Sequence, residues 1–141
     1  MTKGSLFLIP NLLGDSEVNS VIPKEVQEKA ISLRYFIVEN TKIARRYLRK
    51  IDREFPIDDS TFFELNKHTN PSDISSFLNP IFDGFDVGVI SDAGCPGIAD
   101  PGADVVKIAH TKEVNVVPLV GPSSILLALI SSGLVIRLSI I

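Results

Sequence analysis

The sequence has no tryptophan, one methionine, one cysteine and two histidines among its 141 residues. A single thiol, Cys95, excludes an internal disulfide and a cysteine-based zinc site, and it fits a reducing compartment. His68 and His110 lie far apart with no ligand spacing around them, so no metal centre is expected. No histidine stands near Cys95 in sequence to act as its base, so the thiol does not read as a nucleophile. Positive charge is also scarce. Fourteen Lys and Arg against 17 Asp and Glu leave a net charge of −3, which excludes a domain whose whole surface grips a phosphate backbone. The chain lacks both G-x-x-x-x-G-K-[ST] and a G-x-G-x-x-G after its first apolar run, which disfavours nucleoside triphosphates and dinucleotides as ligands.

No uninterrupted apolar run is long enough for a membrane. The C-terminal stretch ILLALISSGLVIRLSII is broken by Ser131, Ser132, Gly133 and Arg137, short of the roughly 20 apolar residues a spanning helix needs. It reads as a buried helix followed by an abrupt tail over 135–141. At the other end Pro10 and Asn11 stop the run Leu6–Ile9 and no small-x-small cleavage site follows, so the segment reads as a first strand and not a secretion signal.

What is present is alternation. The runs Leu6–Ile9, Tyr35–Val38, Asp86–Ile90 and Val114–Val120 are short, apolar and rich in β-branched or aromatic residues, and Thr61–Leu65 is a weaker fifth. Helical spacing lies between and after them, over Lys24–Ser32, Thr41–Asp52, Pro71–Phe82, Gly102–His110 and Pro122–Ser131. Strands that alternate with helices predict an α/β fold: one domain over 1–134 with a mainly parallel five-stranded sheet and helices on both faces. In the helix from Thr41, the residues Lys42, Arg45, Arg46, Arg49, Lys50 and Arg53 recur at intervals of three and four and fall on one face. Ile43, Tyr47, Leu48 and Ile51 fall on the other. The basic face is either a solvated surface or a dock for an anionic partner such as RNA.

The densest cluster of turn chemistry is SDAGCPGIADPG, directly after the run that ends at Ile90. Gly94 and Gly97 let backbone approach a ligand without a Cβ in the way, and Pro96 and Pro101 fix φ so that the loop is ordered in advance. Asp100 followed by Pro101 reads as a helix start. A second strand-to-helix connection, VPLVGPSSILLAL, has the same build, with Gly121, Pro122, Ser123 and Ser124 at its turn. Two such loops side by side would frame a pocket at the carboxyl ends of a parallel sheet, where ligands of open α/β sheets bind. Asp92 and Asp100 would repel phosphate there, so hydroxyls, amines or a cation suit the pocket better. A receiver-type signalling domain shares this fold class but needs an acidic pair after its first strand, which LFLIPNLL does not supply.

These two loops at this spacing closely resemble the S-adenosylmethionine-dependent tetrapyrrole methylase superfamily. The nearest branch is that of the ribosomal RNA small-subunit methyltransferases that act on a cytidine 2′-hydroxyl. The resemblance covers roughly Gly4 to Leu134. It implies the N-terminal, cofactor-binding α/β half of a two-domain methyltransferase, with the C-terminal domain absent and S-adenosylmethionine held between the halves. By position it assigns Pro10 and Leu13 of the first-strand loop to the cofactor, together with Asp92, Ala93, Gly94, Cys95 and Ile98 of the long loop and the pair Ser123 and Ser124. It puts Glu39 at the end of the second strand. It further implies an RNA acceptor reached through the basic residues, a cytoplasmic homodimer, and little activity for this half alone. A tetrapyrrole acceptor is the alternative, as is a non-catalytic domain that self-associates through its apolar tail.

Overall fold

The computed structural model describes residues 2–97 and 102–134. Five strands form one sheet, β1 (Leu6–Ile9), β2 (Tyr35–Val38), β3 (Thr61–Glu64), β4 (Val87–Ile90) and β5 (Val116–Pro118), in the order β3-β2-β4-β1-β5. Every pairing is parallel, with Leu6 opposite both Val87 and Val116, and Tyr35 opposite both Val87 and Thr61. The expected α/β class is therefore observed.

Alternate side chains of each strand enter separate cores. On one face Ile9, Phe36, Val38 and Ile90 pack against helices α2 (Lys24–Ser32) and α3 (Thr41–Ile51), through Val26, Ala30, Ala44, Tyr47 and Leu48. On the other, Leu6, Ile37, Val87 and Val89 meet α4 (Pro71–Ser76), α5 (Asn79–Phe82) and α6 (Gly102–Thr111), through Ile74, Leu78, Ile81, Val105 and Ala109. Each large side chain fully withdrawn from water contributes about 1.5–3 kcal/mol, so the two cores fix the strand register firmly. Gly88 sits in the middle of β4 because the first core leaves no room for more. A Cβ there would lie 2.5 Å from Ile9 Cδ1 and 2.9 Å from Leu33 Cδ1.

The structure corrects the expected elements in four places. The helix anticipated over Pro71–Phe82 is two short helices, because Pro80 has no N–H to continue the first and instead occupies the opening turn of α5. The last strand is shorter than Val114–Val120. Val114 turns back, its N–H bonded to Ala109 O, and lies buried beside α6, while Pro118 is tolerated because β5 is an edge strand. A one-turn helix α1 (Val18–Val21) and a 3-10 turn (Ile57–Asp59) also appear. Finally, the apolar helix α7 (Ser124–Ser132) is not buried: Ile125, Leu126, Leu127 and Ile130 are 50–66% exposed. No other described element packs closely over it, so hydrophobicity here marks an uncovered face instead of a core. Ile98, the Asp100–Pro101 helix start and the tail 135–141 lie outside the described residues.

Candidate functional site

In this strand order β1 and β4 are neighbours, yet β1 leads to α2 on one face and β4 leads to α6 on the other. The chain therefore parts at their carboxyl ends and opens the crevice at which open α/β sheets bind ligands. A cleft of about 230 Å³ occupies this position, lined by Asn11 to Asp15 of the first-strand loop, Asp92 and Ala93 of the β4 loop, and Ile43, Arg46, Tyr47 and Lys50 of α3.

Asn11 joins the two loops. It is 4% exposed, and its backbone N–H donates to Gly94 O at 2.9 Å, forming an isolated antiparallel bridge. Its Nδ2 donates to Ser91 O at 3.1 Å and to Asp92 O at 3.3 Å, while its Oδ1 accepts from Leu12 N at 2.7 Å. All of its polar valence is thus spent on holding the β1 and β4 loops in register, as a buried amide requires. Ser91 closes the same turn from the other side, its hydroxyl donating to Ala93 O and Gly94 O. Gly94 holds φ at +67°, and a Cβ there would come within 3.0 Å of Leu13 Cδ2 and 3.3 Å of Pro122 O. Only glycine gives this turn and this closeness without strain.

The loop after β5 is tied in by Cys95 and Pro10. The Cys95 thiol donates to Pro122 O at 3.3 Å and reaches Gly121 O at 3.6 Å, and its burial pushes its pKa up, which keeps it a donor. Pro10 packs so tightly on Gly121 that a Cβ at 121 would fall 2.0 Å from Pro10 Cβ. On the far side the carbonyl of Pro10 accepts from the Tyr47 hydroxyl at 2.6 Å. Glu39, at the end of β2, accepts from Asp92 N at 2.9 Å and so connects a third strand end to the same turn.

Of the residues expected at a cofactor site, Leu13, Asp92 and Ala93 line the cleft. Gly94, Cys95 and Pro10 do not line it; by the contacts just described they tie together the loops beside it. Ser123 caps α7, its hydroxyl accepting from Leu126 N at 3.3 Å, and Ser124 begins that helix; neither lines the cleft. Ile98 is outside the described residues. The sequence alone assigns no role to Asn11, Ser91 or the hydroxyl of Tyr47. A polar residue that follows an apolar strand behind a single proline is the one signal that points to Asn11. The expected basic face also divides. Arg46 and Lys50 line the cleft, Arg45 stacks over the Phe62 ring at 5.4 Å, and Arg49 Nε donates to Phe55 O at 2.8 Å. Arg53 does not share the helix, which ends at the cap residue Asp52.

Among the described residues no group of three His, Cys, Asp or Glu side chains could hold a metal ion, and no helix is long and apolar enough to cross a membrane.

No family model matches the chain. It is similar, however, to curated proteins that share one name, ribosomal RNA small subunit methyltransferase I. Identity is 32% with that of Bacillus subtilis and 30% with that of Vibrio cholerae, over 94% and 92% of this chain and 42% of each relative. With that of Streptococcus pyogenes it is 26%, over 94% of this chain and 44% of the relative. The chain thus spans less than half the length of these relatives. By sequence it is a homologue of the N-terminal part of the ribosomal RNA small subunit methyltransferase I proteins, the branch of the tetrapyrrole methylases that its two glycine-bearing loops resemble.

Proposed function

We propose that the chain is the cofactor-binding half of an S-adenosylmethionine-dependent methyltransferase whose acceptor is an RNA ribose 2′-hydroxyl. The observation that carries this reading is the cleft at the point where the chain parts, lined by the β1 and β4 loops, which Asn11 ties to each other and Cys95 and Pro10 tie to the loop after β5. Three relatives whose names specify ribosomal RNA methylation support the reaction class and an RNA acceptor; the ribose 2′-hydroxyl is the finer part of the proposal.

The residues present fit a sulfonium cofactor. Gly94 lets the β4 loop close on Leu13 and Pro122, and Leu13 in turn lines the cleft. Asp15 and Asp92 give the loop side of the cleft negative charge, which suits a cation and opposes a phosphate-bearing cofactor. Pro10, Leu13, Asp92, Ala93, Gly94, Cys95, Ile98, Ser123 and Ser124 are the proposed cofactor set. S-adenosylmethionine supplies an electrophilic methyl group, and its transfer depends on in-line alignment with the attacking oxygen more than on covalent help. What this chain contributes in that account is a fixed crevice. Its loops are ordered by internal hydrogen bonds, so little ordering entropy remains to be lost on binding.

The reading places the protein in the cytoplasm, as a homodimer. The uncovered face of α7 is the surface that pairing, or the remainder of a longer enzyme, would bury.

The test is calorimetric titration of S-adenosylmethionine into the chain, with Gly94→Val beside it, followed by methyl transfer to small ribosomal subunits by an enzyme of the relatives' full length that carries this half. Binding that Gly94→Val abolishes, with methyl incorporated at a ribose, is the expected result. A full-length enzyme that binds no cofactor, or methylates no RNA, would sink the proposal.

A further inference from the structure

The six basic residues in and after α3 are not equivalent, and the difference assigns a binding edge for the substrate. Their surroundings split them. Ile43, Arg46, Tyr47 and Lys50 stand at i, i+3, i+4 and i+7 and line the cleft together. Arg45 and Arg49 stand one turn apart on a different stripe, where one guanidinium covers the Phe62 ring and the other bonds Phe55 O. Lys42 is exposed and does not line this cleft, and Arg53 lies beyond the helix end.

We infer that Arg46 and Lys50 form a phosphate-binding edge that lays the sugar–phosphate backbone of a single-stranded RNA across the mouth of the cleft. The inference rests on the methyltransferase reading for the identity of the polyanion. The geometry comes from the charge distribution within the cleft. Its loop side carries Asp15 and Asp92, and its helix side carries Arg46 and Lys50. One ligand charge cannot suit both sides. A cationic methyl donor against the loops and an anionic acceptor against the helix satisfy both at once.

Both cations are exposed, and among the described residues neither has a carboxylate within ion-pair distance, unlike Lys29, which pairs with Asp86 at 3.1 Å. Their charge is therefore directed at solvent or a ligand. Arg46 brings a planar fork that matches phosphate oxygens and Lys50 a mobile point charge one turn away. The Tyr47 hydroxyl between them is committed to Pro10 O, which fixes the helix against the first-strand loop and holds the two cations at a set height over the cleft. The neighbouring hollow of about 310 Å³ that Lys50 also borders is lined by Asp15 and Glu17, so a phosphate is drawn toward the Arg46 side. Arg46 and Lys50 are positioning residues in this account and touch no reacting atom.

The experiment is fluorescence anisotropy of a labelled single-stranded RNA oligonucleotide with the chain, across roughly 50 to 200 mM salt. Each phosphate contact on a single strand contributes about 0.7 to the slope of log affinity against log salt. Arg46→Gln and Lys50→Gln are each expected to lower that slope by about 0.7, whereas Lys42→Gln and Arg45→Gln leave it unchanged. Circular dichroism of all four variants checks that they are folded. Equal slopes for the four variants, or no RNA binding by the parent chain, would overturn the proposal, since a merely solvated basic face makes no such distinction. Calorimetry with S-adenosylmethionine on the chain and on an enzyme of the relatives' full length that carries it reports separately on the underlying reading. Cofactor binding with equal RNA slopes rejects the phosphate edge alone. Distinct slopes with the chain, beside a full-length enzyme that binds no cofactor, uphold the edge and reject the methyltransferase.

Discussion

The hydroxyl of Tyr47 donates a hydrogen bond of 2.6 Å to the carbonyl oxygen of Pro10, and both residues are buried. Burial raises the phenol pKa well above its ordinary value, so the hydroxyl stays a donor throughout the physiological range. One bond thus joins α3 to the loop after β1 and sets one wall of the cleft against another.

Tyr47→Phe keeps the ring in the core and removes only this bond, which leaves a buried carbonyl without its partner. The expected cost is about 1–3 kcal/mol in urea unfolding, with weakened S-adenosylmethionine binding at temperatures where the variant is fully folded. An unchanged midpoint together with unchanged affinity would show that the bond does not hold the wall.

Three glycines differ in what surrounds them and order themselves accordingly. Gly121→Ala drives a methyl group into Pro10 at 2.0 Å and is expected to destabilise by about 1–3 kcal/mol. Gly94→Ala meets both a crowded site and a φ of +67°, at a cost of about 1–2 kcal/mol for the backbone alone. Gly14 has no atom within 4 Å of a Cβ, and Gly14→Ala is expected to be neutral. Melting temperatures of the three variants check the order, and equal values would contradict it.

Asn11→Asp preserves size but replaces a donor by a charge that faces Ser91 O and Asp92 O. Repulsion and desolvation together are expected to cost several kcal/mol, of the order of 3. The variant should therefore unfold at distinctly lower denaturant, and a wild-type midpoint would show that the amide does not hold the loops together.

The Cys95 thiol has a raised pKa in the folded protein because burial disfavours the thiolate. Alkylation of the native chain should therefore become fast only at a higher pH than alkylation of the urea-unfolded chain. The sign for stability follows from the same shift. The folded state holds this proton more tightly, so its contribution is fully present below the unfolded thiol's pKa and is lost as pH rises through the folded one. Cys95→Ala should lose less stability than the parent over that alkaline window, as read by unfolding at successive pH values. Coincident labelling profiles would count against a shielded thiol.

The uncovered apolar face of α7 is expected to drive concentration-dependent self-association of the isolated chain. Replacing Leu126 and Ile130, which are 56% and 66% exposed, by glutamate should shift the mass seen by light scattering toward the monomer. A parent chain that is strictly monomeric at high concentration would refute this.

Much of the fold was legible because strand and helix patterns depend on local periodicity. The buried runs at Leu6, Tyr35 and Val87, the basic and apolar stripes of α3 and the glycine turns all register in a few consecutive residues. Pro80 could have announced the break between α4 and α5, because a missing N–H is equally local. The family resemblance is local in the same sense, since it rests on two loops that are each contiguous in the chain.

Pairing across the sheet could not be read in this way. The order β3-β2-β4-β1-β5 places Asn11 beside Ser91 and Asp92, 80 residues or more away, and only that juxtaposition turns a loop amide into the tie between two strands. The same order brings Cys95 to Pro122 and divides cleft-facing Arg46 and Lys50 from Arg45, which covers the Phe62 ring, and Arg49, which bonds the Phe55 carbonyl. It also exposes α7, whose composition reads as core. The sequence by itself determined where most of the strands, helices and turns lie, because steric and hydrophobic preferences act over a few residues. The tertiary structure alone decided which polar groups meet and which apolar face stays uncovered, because those outcomes depend on distant segments competing for the same space.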